Sequence, residues 1–191
     1  MFEYTENNIA DLIAKNQRLI CTSYDFLVPK CYTSHDNECD LLAVRKSGFC
    51  DEFEIKISRS DLLNDRKKKV AYRSVESRGK GNEEDWKHND KLMELGYEKW
   101  KKLVAPWEKL KYEALTCGDT PINHFWYVIK HDIADLCDIP DWAGLIKVFD
   151  KGSIRVIRTP SKLHKNKVDF EFKFNMVRKL GYRYWGERLK K

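Results

Sequence analysis

Residues 49–57, FCDEFEIKI, constrain this chain more than any other stretch. Phe49, Phe53, Ile55 and Ile57 fall on one side of an extended chain, and Glu54 and Lys56 fall on the other. That period of two belongs to a β-strand with one buried face and is incompatible with a helix. Just upstream, CDLLAV is a short apolar run of strand character, and RKSG, with Gly48, is a turn signal. The two strands are therefore expected to pair through that turn.

Other elements follow from the same kind of pattern. Residues 5–19 predict a helix with Thr5 as N-cap and Ile9, Leu12, Ile13 and Leu19 near one stripe. Residues 19–29 predict a strand ended by Pro29. Ser58 and Asp61 have the spacing of a capping box opening a second helix, expected to run to about residue 75. A charged loop (76–85) and a helical stretch (91–115), interrupted at Pro106, form an insertion at about 72–120. Residues 123–130, NHFWYVIK, predict an aromatic strand, and 142–158 a hairpin turning at Asp150-Lys151-Gly152. Residues 170–191 predict a basic final helix. This order gives one α/β domain over residues 1–191, a mixed central sheet flanked by helices, and not an alternating Rossmann array.

Hydrophobic residues make up 42% and aromatics 13% of the chain, enough for a packed core. No apolar run approaches the roughly 20 residues of a membrane span, and the acidic start does not read as a signal peptide, so a cytoplasmic protein is expected. Six cysteines lack C-x-x-C spacing and read as structural thiols. The net charge of +6 is unevenly distributed, with acidic segments at 1–55 and 81–150 and basic ones at 56–80 and 151–191. Two basic blocks on an acidic background point to a polyanion partner, although solvated surfaces give the same pattern.

The chemistry-bearing constellation is Asp40 followed by Glu54-Ile55-Lys56. Glu54 and Lys56 project from one strand face, and Asp40 can approach that face from the neighbouring strand. Two hard carboxylates suit Mg²⁺ or Mn²⁺, and the Ile55 carbonyl is a candidate further ligand. Lys56 would hold an attacking water or stabilise charge on phosphate. An exposed cross-strand Glu–Lys pair is the competing interpretation.

The order Asp40-x13-Glu54-Ile55-Lys56 resembles the catalytic core of the PD-(D/E)xK, or restriction-endonuclease-like, nucleases. More narrowly, EIKISRSDLLNDRKKK is similar to the E-[VI]-K-x-S-x-x-D-F-x-x-D-x-K stretch of MmcB-like DNA-repair nucleases and related phage proteins. Residues 124–158, with their A-G-L segment, resemble the strand pair of the same group. The likeness covers residues 5–70 and 124–158, and the chain departs from the pattern in having no proline beside Asp40. It implies a restriction-endonuclease-like core, with Asp40 and Glu54 as metal ligands and Lys56 as catalytic lysine. It also implies that Glu6 assists the metal or the water; a first-turn acid complementing the helix dipole is the alternative.

The expected activity is metal-dependent hydrolysis of nucleic-acid phosphodiesters, with DNA as first substrate. A non-catalytic nucleic-acid-binding module and an RNase on the same fold are the alternatives. Arg59, Arg66, Lys67, Lys68 and Lys69 are the expected phosphate contacts, the last four on the second helix. Ser58 and Asp61 are read as caps, and Asp36 and Glu38 compete with Asp40 if the register differs. Trp126, Trp142, Tyr184 and Trp185 are expected mainly in the core, with base stacking by one of the tail aromatics as the alternative, and the histidines show no ligand spacing. Replacing Glu54 with Gln is expected to abolish cleavage and spare the fold. Oligomeric state is left open, a homodimer among the options.

Overall fold

The computed structural model describes residues 2–33, 37–72 and 107–190. Its centre is a six-stranded mixed sheet, β1(Tyr24–Tyr32), β2(Glu38–Arg45), β3(Cys50–Lys56), β6(His124–Lys130), β7(Gly144–Val148) and β8(Ile154–Arg158), in that spatial order. β1–β2, β2–β3 and β7–β8 pair antiparallel; β3–β6 and β6–β7 pair parallel. A separate ribbon pairs β4(Lys69–Tyr72) with β5(Trp107–Leu110). The helices are α1(Glu6–Lys15), α2(Arg59–Asp65), α3(Lys111–Thr116) and α4(Phe170–Arg188). Among the described residues no helix is long and apolar enough to cross a membrane.

Strand alternation sorts the core into two layers. Leu41, Ala43, Phe53, Ile55, Trp126 and Val128 pack with Ile9 and Ile13 of α1 on one face. Leu42, Val44, Phe125, Tyr127 and Ile129 pack on the other with Leu62 of α2, Leu115 of α3 and Met176 of α4. Each fully buried side chain of this size contributes about 1.5–3 kcal/mol.

Several local expectations hold. Thr5 caps α1, its side chain accepting from the Asn8 amide at 3.2 Å. Ser58 caps α2 in the same way toward the Asp61 amide. Gly48 closes the β2–β3 turn at φ +87°, a conformation that suits a residue without Cβ. The β7–β8 hairpin turns through Gly152. All six cysteines are free thiols, and Cys31 and Cys39 meet across β1–β2 with sulfurs 3.4 Å apart.

Other expectations fail for identifiable reasons. β1 runs through Pro29 because it is an edge strand, needing ladder hydrogen bonds on one side only. β3 is buried on both faces, because it lies inside the sheet with helices on either side, as central strands of parallel pairs do. α2 ends at Asp65 rather than near residue 75; Lys69–Tyr72 is strand, pairing with β5 and burying Val70. Arg66, Lys67, Lys68 and Lys69 therefore lie beyond the helix. Within the expected helix over 91–115, Trp107–Leu110 is strand and only Lys111–Thr116 of the described part is helical. Residues 73–106 of the expected insertion, with His88, and Asp36 lie outside the described residues.

Candidate active site

Leu42 and Val44 of β2 and Cys50 of β3 face the α2–α4 side of the sheet, and so does Cys39, so the alternation of β2 breaks at Asp40. Glu52, Glu54 and Lys56 share the parity of Cys50 on β3, and Asp40 joins them from β2 at that break, its carboxylate bonded to the Ile55 amide. Asp40, Glu54 and Lys56 line one cleft of about 360 Å³ with Glu6, Lys30, Tyr32, Glu38, Asp61 and Lys68.

At the mouth of the β2–β3 pair, the Ile55 amide donates to Asp40 Oδ2 at 2.7 Å. The regular ladder stops at Leu41–Phe53, and the Asp40 side chain replaces the missing backbone acceptor. A strand residue turns its N–H and C=O to the same edge, so the Ile55 carbonyl faces the Asp40 side. Burial and the charge of Glu54 push the Asp40 carboxyl up to about 6.

Glu54 is 2% exposed and is held by cations on both oxygens. Lys56 Nζ donates to Oε1 at 2.7 Å and Lys111 Nζ to Oε2 at 2.6 Å, with Lys68 Nζ 3.8 Å from Oε1. Burial alone would raise its pKa, but Lys111, Lys56 and Lys68 outweigh that and hold it well below the usual carboxylate range. Lys56 also lies 3.6 Å from Asp61 and Asp65; burial would lower its pKa, and Glu54 and Asp65 keep it above the ordinary lysine value.

Lys111 is a member of the candidate site that sequence reasoning missed. It is 2% exposed, enters from the first turn of α3, and lies 3.3 Å from Glu52 and 3.8 Å from Asp65 besides bonding Glu54. It also stands 4.8 Å from the centroid of Phe125. Burial opposes its charge, but Glu54, Glu52 and Asp65 raise its pKa above the ordinary value. Glu52 Oε1 and Asp65 Oδ1 receive these ion pairs without a hydrogen bond of good geometry. Asp65 Oδ2 accepts from Tyr127 OH at 2.5 Å, tying the end of α2 to β6. Nothing in KLKYEAL distinguishes Lys111 from a surface helix lysine, since its partners are 46 or more positions upstream.

Lys30 was missed as well. It sits in β1 between the pairs Pro29–Leu41 and Cys31–Cys39, across from Asp40. Its φ of +45° is a strained conformation for a residue with a Cβ, and its ammonium pairs with Glu6 at 3.4 Å. Glu6 thus points toward the cluster, through a lysine.

The expected phosphate contacts divide. Lys68 lines the cleft, and Lys67 lines an adjoining one with Lys56, Asn64 and Asp65. Arg59 makes paired bonds to Asp138 at 2.9 and 3.0 Å, and Arg66 donates to the Asp138 carbonyl. Lys69 lies on β4 opposite Leu110, outside both clefts. Trp126 is buried as expected, but Tyr184 and Trp185 are each 57% exposed, contrary to the core expectation, because no apolar α4 residue beyond Leu180 packs against the sheet.

Among the described residues no three Asp, Glu, His or Cys side chains are grouped as a ready metal-ligand set. Five carboxylates line the cleft, those of Glu6, Glu38, Asp40, Glu54 and Asp61; Asp40 and Glu54, with the Ile55 carbonyl at the same strand edge, make a hard-oxygen donor set that fits Mg²⁺ or Mn²⁺ rather than zinc.

No family model matches the chain, and no curated protein matches it. One solved structure, a protein of unknown function from Silicibacter pomeroyi, is similar at a TM-score of 0.52 and 12% identity. The alignment covers 100% of this chain and 92% of that one. The likeness is one of fold.

Proposed function

We propose that this chain is a metal-dependent nuclease with a restriction-endonuclease-like core, hydrolysing nucleic-acid phosphodiesters. The observation that carries this reading is the meeting of Asp40 from β2 with Glu54 and Lys56 from β3 in one cleft. Two carboxylates and a lysine lining one cleft are the parts that phosphodiester hydrolysis needs.

Asp40, Glu54 and the Ile55 carbonyl would hold Mg²⁺ or Mn²⁺, which supplies Lewis acidity toward a phosphoryl oxygen. Lys56 would turn from Glu54 toward the scissile phosphate and donate to its developing charge, the basis of electrostatic stabilisation. Lys111 keeps Glu54 ionised and oriented from behind. Lys68 and Lys30 lie on the cleft rim and would meet the flanking phosphates.

A second reading has one observation in its favour. Both oxygens of Glu54 already carry lysine partners, as in a nucleic-acid-binding module that keeps the scaffold without cleaving. Supercoiled DNA, single-stranded DNA and RNA should be incubated side by side, with Mg²⁺ or Mn²⁺ and with EDTA. Cation-dependent cleavage that Asp40→Asn abolishes supports the nuclease, and the preferred substrate separates DNase from RNase. Binding without cleavage of any of the three would establish the second reading instead.

A further inference from the structure

Helix α4 is two-faced in an unusual way. Phe172, Met176 and Leu180 pack onto the sheet, while Lys173 pairs with Asp25 and Lys179 donates to the Tyr32 carbonyl at 3.1 Å. A surface helix ordinarily turns polar residues outward. Here the outward stripe runs Phe170, Phe174, Arg178, Tyr182, Trp185 and Leu189, at helical spacings of three and four. Phe170 is 81% exposed and Tyr182 71%. Phe170 and Phe174 stack with centroids 6.1 Å apart, and Arg178 lies 6.0 Å from the Phe174 ring. The helix therefore presents exposed aromatic faces along about 28 Å, with the Arg178 and Arg188 guanidinium groups beside Phe174 and Tyr184.

Charge decides between occupants. Residues 170–190 carry six lysines and arginines against two glutamates. Two copies of such a helix would repel, which disfavours self-association through this stripe. A polyanion with flat apolar faces complements it, since bases stack on aromatic rings and phosphates meet cations.

Position favours a strand that passes through the cleft over an anionic bilayer. Arg183 donates to the carbonyls of both Pro29 and Lys30, and Lys179 to that of Tyr32. Lys30 and Tyr32 are themselves cleft-lining residues. The helix thus grips the cleft's own rim, which sets its outer stripe beside the cleft rather than at a remote surface.

We propose that the outer face of α4 is a stacking platform for single-stranded nucleic acid leading from the cleft. The inference rests on the nucleic-acid reading of the cleft, but it can be tested without hydrolysis. Full-length protein, wild type and with Phe174, Tyr182 and Trp185 all changed to Ser, is titrated in EDTA. The probes are a labelled oligothymidylate longer than the cleft, a matching duplex, and vesicles rich in phosphatidylserine. These side chains are exposed, so circular dichroism and melting should match wild type.

Loss of oligothymidylate affinity by roughly tenfold or more in the triple variant, with a smaller change for duplex, is the expected result. Unchanged affinity for the oligothymidylate overturns the proposal, as does its failure to bind the wild type. Vesicle binding that the triple variant loses while strand binding persists assigns the stripe to a membrane and also overturns it. Cleavage assays on the same two proteins report separately on the cleft. A wild type that binds strand through α4 yet never cleaves retires the nuclease reading and leaves this one standing.

Discussion

Lys111 Nζ lies 2.6 Å from Glu54 Oε2, in the interior, joining residues 57 positions apart. The contact makes Glu54 both a candidate ligand and the centre of a buried charge cluster with Lys56, Glu52 and Asp65. Removing one member of such a cluster strands the others. Lys111→Met is expected to cost about 3–5 kcal/mol in urea denaturation, and adding Glu52→Gln should recover part of it by removing one orphaned anion. A Lys111→Met protein as stable as wild type would show that the cluster contributes nothing.

The same geometry changes what Glu54→Gln should do. Loss of the charge leaves Lys56 and Lys111 without their shared anion, so the variant should lose stability as well as cleavage, rather than cleavage alone. Asp40→Asn is the cleaner knock-out, because an amide oxygen can still accept from Ile55. It should abolish cleavage with native melting; a large fall in melting temperature would make Asp40 structural.

Asp40 also sets an acid limb. Its carboxyl is raised from 3.8 to about 6 by burial and Glu54, so its contribution to stability is full below the unfolded value and lost as pH rises through the folded one. Asp40→Asn should therefore gain on wild type between roughly pH 4 and pH 7, read from melting curves of both proteins. Cleavage at limiting Mg²⁺ should fall below about pH 6, and excess Mg²⁺ should move that limb lower because cation and proton compete. A limb indifferent to Mg²⁺ would separate it from Asp40.

Arg59 and Lys67 should part company in salt titrations of nucleic-acid affinity. Arg59 is engaged by Asp138, while Lys67 borders a cleft beside Lys56. Lys67→Ala should reduce the slope of log affinity against log salt by about one, and Arg59→Ala should leave it unchanged. Equal slopes for Lys67→Ala and wild type would remove that lysine from the interface.

Gly144 tests the packing behind β3. A Cβ there would stand 2.4 Å from Trp126 Cε3 and 2.8 Å from Pro160 Cδ, and Trp126 stacks on Phe53 of β3 at a centroid distance of 6.0 Å. Gly144→Ala should destabilise by about 1–3 kcal/mol, seen as a lower urea midpoint. An unchanged midpoint would mean that the indole moves aside freely.

The sequence by itself determined the elements whose signals are local. The strand around Glu54, the Gly48 turn and the Thr5 and Ser58 caps each depend on neighbours within a few positions, and each is present where expected. From those followed the shared face of Glu54 and Lys56, and Asp40 as their partner across the hairpin. Tertiary structure decided what depends on distant chain. Whether β3 shows one face or none to water depends on helices contributed from far along the sequence. Lys69–Tyr72 became strand because Trp107–Leu110 offered it a partner, overriding a helical pattern. Lys111 acquired its role only when α3 brought an ammonium against Glu54, and Lys30 when β1 was bent beneath Arg183. A buried charge is tolerated only where opposite charges converge on it in space, and no spacing along the chain encodes that convergence.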